Sequence, residues 1–387
     1  LLYSCITEEI LSLSLKYTAD RQDRNVIGMG KKDICELNID EMKALMKEYK
    51  EPAFRAVQIY GWLHKNKAVS FDEMNNIPKS LKEKLSADHF ITIMNAEDVL
   101  ISKLDGTRKY IFALYDGNVI EAVLMKYKHG NSVCISSQVG CAMGCRFCAS
   151  TIDGCVRSLT AAEMLAEVYR IERDLGERIS NIVIMGSGEP LENYDEVVRF
   201  LRMISDENGS NISARNITLS TCGIVPNIER LAKEGLPITL ALSLHAPSQE
   251  KREEIMPIAR RYAIDEVLKA CAYYYNETGR RLSFEYSVVK GVNDSEDEAH
   301  RLVRLLKRFA GGFKSHEGAF HVNIIPVNPI EEREYESPDR ESVERFRLIL
   351  EKNGINATVR REMGRDISSA CGQLRRRHIK NADTGIN

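Results

Sequence analysis

The sequence predicts an α/β fold built on a parallel sheet, with a small helical domain and a β-hairpin extension in front of it. Apolar residues recur at helical spacing before residue 95, short strand-like runs joined by Asp-Gly follow, and strand-like runs then alternate with amphipathic helices. Six βα units in series favour parallel strands joined by crossover helices. The six predicted strands are Cys134–Ser137, Asn181–Met185, Asn216–Thr221, Ile238–Leu244, Leu282–Val289 and Phe320–Val327.

The first elements are helical. The chain begins with Leu1 and Met29 is a more typical start, so we set residues 1–28 aside as a tag or upstream extension. Residues 29–95 form the predicted helical domain, an accessory domain. An apolar stripe from Phe54 to Leu63 indicates one amphipathic helix, and Pro78 starts the next.

Residues 96–130 form the predicted β-hairpin extension, because Asp105-Gly106 and Asp116-Gly117 separate three strand-like runs. Residues 131–376 form the predicted core, and 377–387 a tail. The clearest core helix begins at Thr160, whose side chain is expected to form a capping box with Glu163. Periodicity leaves open whether the core sheet is open or curled into a partial barrel.

Composition narrows the class of protein. No apolar run approaches the ~18 residues of a membrane span, and ten cysteines without a secretory signal favour a reducing, cytoplasmic setting over a disulfide framework. The net charge of −2 does not indicate a nucleic-acid binder. Seven basic residues between Arg360 and Lys380 could nevertheless contact phosphates, or form a solvated tail.

Cys141, Cys145 and Cys148 form a CxxxCxxC motif in a Gly-containing loop after the first core strand. Three close thiolates suit a soft metal centre. Structural zinc sites usually have four ligands and bacterial ferredoxins have CxxCxxC spacing, so neither matches, although a non-enzymatic iron–sulfur or zinc protein remains the alternative. Three ligands on a [4Fe–4S] cluster leave one iron open to the amine and carboxylate of S-adenosylmethionine (SAM), which predicts a radical SAM enzyme.

A second motif follows the second core strand. In Gly186-Ser-Gly188-Glu189-Pro190, the glycines allow close approach of a ligand, and Glu189 can accept hydrogen bonds from an amino group. Ligands of such sheets bind at the carboxyl ends of the strands. We therefore expect Gly188 and Glu189 to hold the methionine ammonium of SAM, the alternative being a tight turn.

Longer segments resemble the RlmN/Cfr family, the radical SAM enzymes that methylate adenine in ribosomal RNA. Its two cysteine signatures resemble Cys134-Ile-Ser-Ser-Gln-Val-Gly-Cys141 and Asp366-Ile-Ser-Ser-Ala-Cys371-Gly-Gln-Leu374, and the resemblance runs from about Leu37 to Arg376. Pro190, Phe284-Glu-Tyr286 and Ile325-Pro-Val-Asn328 are similar to the branch that methylates C2 in 23S rRNA and in tRNA. The alternative is the branch that methylates C8 of the same RNA and confers antibiotic resistance. Ser187 replaces the usual Met, and Cys222 the usual Ser.

The resemblance implies a partial (βα)6 radical SAM barrel and a mechanism that consumes two SAM per turnover. Adenine C2 is a poor nucleophile but a thiolate is a good one, so Cys371 is implied as an S-methylcysteine carrier. Cys134 is implied as the residue that resolves the RNA–protein link by a disulfide with Cys371, and Glu121 as the base that removes the C2 proton. The implied SAM contacts are Gly188, Glu189, Ser220, Ser243, Leu244, His245 and Asn328.

The same resemblance implies the partners. They are 23S rRNA, tRNA and an electron donor such as flavodoxin, and we expect a monomer without membrane contact. The target base must leave its stack to enter the pocket. Phosphates are expected to meet the basic cluster and the N-terminal residues Lys43, Lys47 and Arg55.

Overall fold

The computed structural model describes residues 30–312, 319–330 and 332–367. Its N-terminal part contains three helices and two short strands, which are β1 (Lys32–Asp33), α1 (Ile39–Glu48), α2 (Phe54–His64), α3 (Lys79–Asp88) and β2 (His89–Phe90). Helix α1 begins at a capping box in which Asn38 accepts from the Glu41 amide and the Glu41 carboxylate accepts from the Asn38 amide. Its buried face packs Met42 and Met46 against Ile59 and Leu63 of α2. The amphipathic pattern therefore gives this region its own apolar cluster.

An antiparallel meander follows, formed by β3 (Asn95–Ile101), β4 (Arg108–Ala113) and β5 (Val119–Tyr127). Its two connections are the Asp-Gly turns identified in the sequence, where Gly106 and Gly117 have φ angles of +73° and +82°. Strand β5 also pairs antiparallel with the next strand of the chain. The extension is thus continuous with the main sheet, so residues on β5 can reach the site at its centre.

The core alternates strands and helices along the chain. Its elements in order are β6 (Gly130–Ile135), β7 (Gln138–Gly140), β8 (Cys155–Ser158), α4 (Ala161–Leu175), β9 (Ile179–Ile184), α5 (Tyr194–Ser205), β10 (Ile217–Thr221), α6 (Val225–Ala232), β11 (Thr239–Ser243), α7 (Gln249–Ile255), α8 (Ile264–Thr278), β12 (Leu282–Val288), α9 (Glu296–Ala310), β13 (Phe320–Pro326), α10 (Arg340–Lys352) and β14 (Ala357–Val359).

Ten of the described strands form one sheet in the order β14-β13-β12-β11-β10-β9-β6-β5-β4-β3, while β1 with β2 and β7 with β8 form separate two-stranded sheets. Neighbours from β6 to β14 run parallel, so all six predicted core strands are present, and β14 is a further short strand that the sequence pattern did not indicate. Parallel pairing brings the carboxyl ends of these strands to one edge. No helix within the described ranges combines the length and the apolar character needed to cross a membrane.

Candidate active site

The cysteine motif lies in a loop that is closed at its base. Strands β7 and β8 pair antiparallel on either side of it, and the amide of Cys141 donates to the carbonyl of Gly154 at 2.8 Å. Gly140 adopts a φ of +80°, and a Cβ at this position would collide with the carbonyl oxygen of Gly154. Only glycine fits here without strain, so the close approach of the two strands fixes where the first cysteine begins.

Hydrogen bonds inside the loop fix the other two cysteines. The amide of Cys148 donates to the carbonyl of Cys145 at 3.2 Å, and the hydroxyl of Thr151 lies 2.9 Å from the carbonyl oxygens of both. Thr151 is buried, so its hydroxyl satisfies backbone groups that water does not reach. Hydrogen bonds within the loop therefore hold the backbone at Cys145 and Cys148.

The donor set fits an iron–sulfur cluster. Cys141, Cys145 and Cys148 line one cavity of about 200 Å³, and Met143 and Met256 belong to the apolar cluster around them. Burial raises the pKa of the Cys141 thiol to about 12, so a strong Lewis acid is needed to hold it as a thiolate.

The lack of a single-ion site among the described residues does not conflict with such a cluster. Within the residues that the structure describes, no three His, Cys, Asp or Glu side chains converge on a single metal ion. A [4Fe–4S] cluster does not need such convergence, since each thiolate binds a different iron.

Gly188 and Glu189 line the same cavity, next to the cysteines. Gly188 has a φ of +108°, and a Cβ there would lie 2.6 Å from Cβ of Gln138. The buried Glu189 carboxylate accepts from Thr221 Oγ1 at 2.7 Å and from the amides of Cys222 and Leu191 at 2.7 and 3.0 Å. These donors fix the orientation of the carboxylate, whose negative charge at the cavity wall suits a ligand ammonium.

Two strand ends supply polar groups opposite Glu189. Ser220 and Ser243 line the cavity, and their hydroxyl oxygens lie 3.4 Å apart. His245 also lines it and adopts a φ of +56°, a strained conformation for a residue with a side chain. The Ser287 amide donates to His245 Nδ1 at 2.9 Å, and burial lowers the pKa of the ring to about 3. The ring is therefore neutral with its proton on Nε2, which is a donor.

Two of the predicted SAM contacts lie elsewhere. Leu244 is buried and does not line the cysteine cavity; its amide donates to the carbonyl of Glu285 at 3.0 Å. Asn328 lines a neighbouring cavity of about 440 Å³. The structure therefore gathers Gly188, Glu189, Ser220, Ser243 and His245 around the cysteines, and separates Leu244 and Asn328 from them.

The neighbouring cavity contains the other predicted reacting groups. Glu121 and Cys134 both line it. They lie on the adjacent strands β5 and β6, and because Val123 is the register partner of Cys134, Glu121 and Cys134 face the same side of the sheet. Lys109 Nζ lies 3.2 Å from the Glu121 carboxylate, and both side chains are buried. The two cavities share Met185, Gly186, Ile325 and Arg360 in their walls.

Known proteins with similar sequences identify the family. Residues 135–303 match the radical SAM superfamily and residues 32–91 match the ribosomal RNA large subunit methyltransferase N-terminal domain. A probable dual-specificity RNA methyltransferase RlmN from Lachnoclostridium phytofermentans is 57% identical over 344 residues, 89% of this chain and 94% of the relative. One of the same name from Clostridium novyi is 51% identical over 350 residues, covering 90% of this chain and 99% of the relative.

The chain belongs to the RlmN family of radical SAM RNA methyltransferases. A solved radical SAM methyltransferase from Sphaerobacter thermophilus has a TM-score of 0.82 and 42% identity, and the match covers 88% of this chain and 98% of that one. The predicted fold class, the partial radical SAM barrel, is confirmed by this likeness. Membership also confirms the predicted cofactors, a [4Fe–4S] cluster and SAM.

Three basic residues of this RlmN-family chain line the second cavity, namely Arg360, Arg361 and Arg365. The amide of Arg360 donates to the carbonyl of Ile324 on β13 at 2.8 Å. Burial raises the pKa of the Cys134 thiol to about 11, and the charge of Arg360 partly opposes this effect. Cys371 lies outside the described residues, as do Arg375, Arg376, Arg377 and Lys380 of the basic cluster.

Sequence reasoning assigned no role to Glu285 at this RlmN-family site, although the motif Phe284-Glu-Tyr286 contains it. Glu285 lines the cysteine cavity and accepts from Ser283 Oγ at 2.6 Å and from Asn323 Nδ2 at 2.8 Å. Burial raises the pKa of its carboxyl group. Glu285 is the one charged residue of the strand Leu282–Val288, and this is the signal that could have identified it. Ser187 does not line either cavity; its hydroxyl accepts from the Gly140 amide at 3.1 Å.

Proposed function

We propose that this chain methylates C2 of adenine in 23S rRNA and in tRNA, with Cys371 as an S-methylcysteine carrier and two SAM consumed per turnover. The observation that carries the proposal is the pair of adjoining cavities. One is lined by Cys141, Cys145 and Cys148 and the other by Glu121 and Cys134, and the two share wall residues. A cofactor site and a substrate site that adjoin in this way allow a carrier to serve both.

The division of roles follows from the chemistry of each group. Cys141, Cys145 and Cys148 would hold the cluster, which together with bound SAM would supply a 5′-deoxyadenosyl radical. The Cys371 thiolate takes the methyl group of a first SAM by displacement. The electron-poor ring carbon is too weak a nucleophile to take it directly.

The S-methyl group of Cys371 would lose a hydrogen atom to the 5′-deoxyadenosyl radical, and its methylene carbon would join C2, so that the RNA is tied to Cys371. Glu121 would remove the C2 proton, and the one electron left on the adduct would return to the cluster. Cys134 would then form a disulfide with Cys371 as the sulfur–carbon bond breaks, and the Cys134 thiol proton would go to the released carbon, which becomes the methyl group.

Basic residues support RNA as the substrate. The side chains of Arg361 and Arg365 are exposed beside the second cavity, where phosphates of a flipped nucleotide would lie. Among the N-terminal residues, Lys43 pairs with Asp40 and Arg55 donates to the carbonyl of Asn76 at 3.0 Å. Arg365 also lies near a carboxylate, Glu362, at 3.8 Å. Because Arg361 and Arg365 line the cavity itself, we propose them as the main phosphate contacts and the N-terminal domain as a secondary surface.

The product distinguishes this function from its alternative. Anaerobically reconstituted protein is incubated with SAM, a reductant and unmodified 23S rRNA or tRNA, and the digested RNA is analysed by mass spectrometry. We expect 2-methyladenosine. Recovery of 8-methyladenosine would replace the proposed position of methylation, and absence of 5′-deoxyadenosine would contradict the whole enzymatic proposal.

Cysteine variants test the carrier. We expect Cys371→Ala to transfer no methyl group to RNA, and Cys134→Ala to accumulate a covalent protein–RNA adduct. Cys271→Ala is a matched control, because Cys271 is a fully buried thiol on α8 that lines neither cavity. Methyl transfer by Cys371→Ala, or an adduct-free Cys134→Ala protein, would contradict the assigned roles.

A further inference from the structure

Arg252 on α7 is a buried cation at the carboxyl ends of two core strands. None of its surface is exposed. Its Nη2 donates to the carbonyl of Cys222, directly after β10, at 2.6 Å, and lies 3.4 Å from the carbonyl of Ser243, the last residue of β11. Both of these residues line the cysteine cavity. The guanidinium group therefore lies against the wall of the cofactor site.

The remaining nitrogens of Arg252 have no hydrogen-bond partner. Nε and Nη1 are both buried and unpaired, and no carboxylate in the described part of the chain forms an ion pair with Arg252. Burial disfavours the charged form of the guanidinium and lowers its pKa. A buried charge without a counter-ion costs several kcal/mol, so an anion is expected close to Arg252 in the functional protein.

The helix that carries Arg252 is fixed to the cysteine loop. The amide of Arg146, between Cys145 and Cys148, donates to the carbonyl of Ile255 at the end of α7 at 2.9 Å. Ile255 and Met256 pack in the same apolar cluster as Cys141, Cys145 and Cys222. The position of the guanidinium relative to the three thiolates is thus set by direct contacts between the two segments.

We propose that Arg252 is the buried counter-charge of the [4Fe–4S] cluster and raises its midpoint potential, which makes the reduced state accessible before SAM is cleaved. This inference rests on the proposed binding of the cluster by Cys141, Cys145 and Cys148. One added electron makes the cluster and its thiolates more negative, so a fixed positive charge in a medium of low dielectric constant stabilises the reduced form more than the oxidised form. Arg252 acts through the cluster and is a positioning residue.

The test compares Arg252→Met, which removes the charge, with Arg252→Lys, which keeps it. Each protein is reconstituted anaerobically, its iron and sulfide are measured, and the cluster is titrated potentiometrically by electron paramagnetic resonance. At the wild-type midpoint we expect at least a tenfold lower ratio of reduced to oxidised cluster in Arg252→Met, a shift of ~59 mV for one electron. Arg252→Lys should remain close to wild type.

Arg146→Met is the matched control. It removes the same charge next to Cys145, but Arg146 is exposed, so water screens its effect and we expect no shift in midpoint. A wild-type midpoint in Arg252→Met with full iron content would overturn the proposal. So would an Arg252→Met protein that is unfolded by circular dichroism, since this would show a role in folding alone.

If Arg252→Met folds but takes up no cluster, while Arg252→Lys takes up a cluster, the result supports the proposal that the cluster needs the positive charge at this position. Failure of the underlying cluster site is recognised separately. In that case Cys141→Ala would retain full iron content, whereas failure of the present inference leaves the iron content of Arg252→Met full and its potential unchanged.

Discussion

Lys109 and Glu121 form a buried ion pair in the wall of the second cavity, and breaking it should destabilise the fold. Their charged atoms lie 3.2 Å apart and the side chains are 0% and 2% exposed. At an effective dielectric constant of about 20, that separation corresponds to about 5 kcal/mol of attraction. Lys109→Met leaves the carboxylate buried without its ammonium partner, a change that typically costs about 3–5 kcal/mol.

The measurement is thermal unfolding of the cluster-free protein followed by circular dichroism. A loss of this size lowers Tm by roughly 6–20 °C in a domain of 150–250 residues. In the double variant Lys109→Met with Glu121→Gln, both charges of the pair are removed, so we expect it to unfold at a higher temperature than Lys109→Met alone. This recovery distinguishes loss of the ion pair from loss of packing.

Lys290→Met is the control. Lys290 and Glu336 lie closer together, at 2.7 Å, but their side chains are 60% and 67% exposed. Water and salt screen such a pair, so we expect no measurable change in Tm. The reasoning is refuted if Lys109→Met unfolds at the wild-type temperature, or if the two lysine variants behave alike.

Three other positions give direct tests. Gly140→Ala should lose most of its iron and sulfide because a Cβ would collide with Gly154; full loading contradicts this. Ser187→Ala removes the hydroxyl that accepts from the Gly140 amide and should lower the free energy of unfolding by about 1 kcal/mol, measured in urea; an unchanged value contradicts it. Burial lowers the pKa of His64 to about 3, so below pH 6.5 the unfolded chain binds a proton that the native ring does not. Stability then falls on acidification, by about 2 kcal/mol at pH 5. His64→Gln should lose less between pH 7 and 5, and an equal loss in both proteins rules out His64 as the cause.

Much of the architecture is visible in local patterns. Thr160 and Glu163 form the capping box at the start of α4, as their spacing indicates, and the six core strands follow from runs of apolar residues. Strand β14 escaped prediction because three residues, Ala357–Val359, are too short to show a period. The pairing of β7 with β8 also escaped, since it joins short segments on either side of the cysteine loop.

The residues of the site were also only partly predictable from local sequence. The spacing of Cys141, Cys145 and Cys148 identified the cluster motif because its ligands lie on one loop, and local sequence is enough to specify them. Asn328 is expected to contact SAM, and the structure places it in the wall of the second cavity, which adjoins the cysteine cavity; its contact with SAM stays a prediction. Cys371 stays a prediction, as it lies outside the described residues.

The sequence by itself determined the class of chemistry and the order of strands and helices, because ligand spacing, caps and apolar periods each depend on residues a few positions apart. Only the tertiary structure decided which charged side chains are buried next to one another. Lys109 meets Glu121 through the pairing of β4 with β5, and Arg252 reaches Cys222 because parallel strands end at one edge. Desolvation depends on everything packed around a group, and that packing depends on strand register and chain crossover.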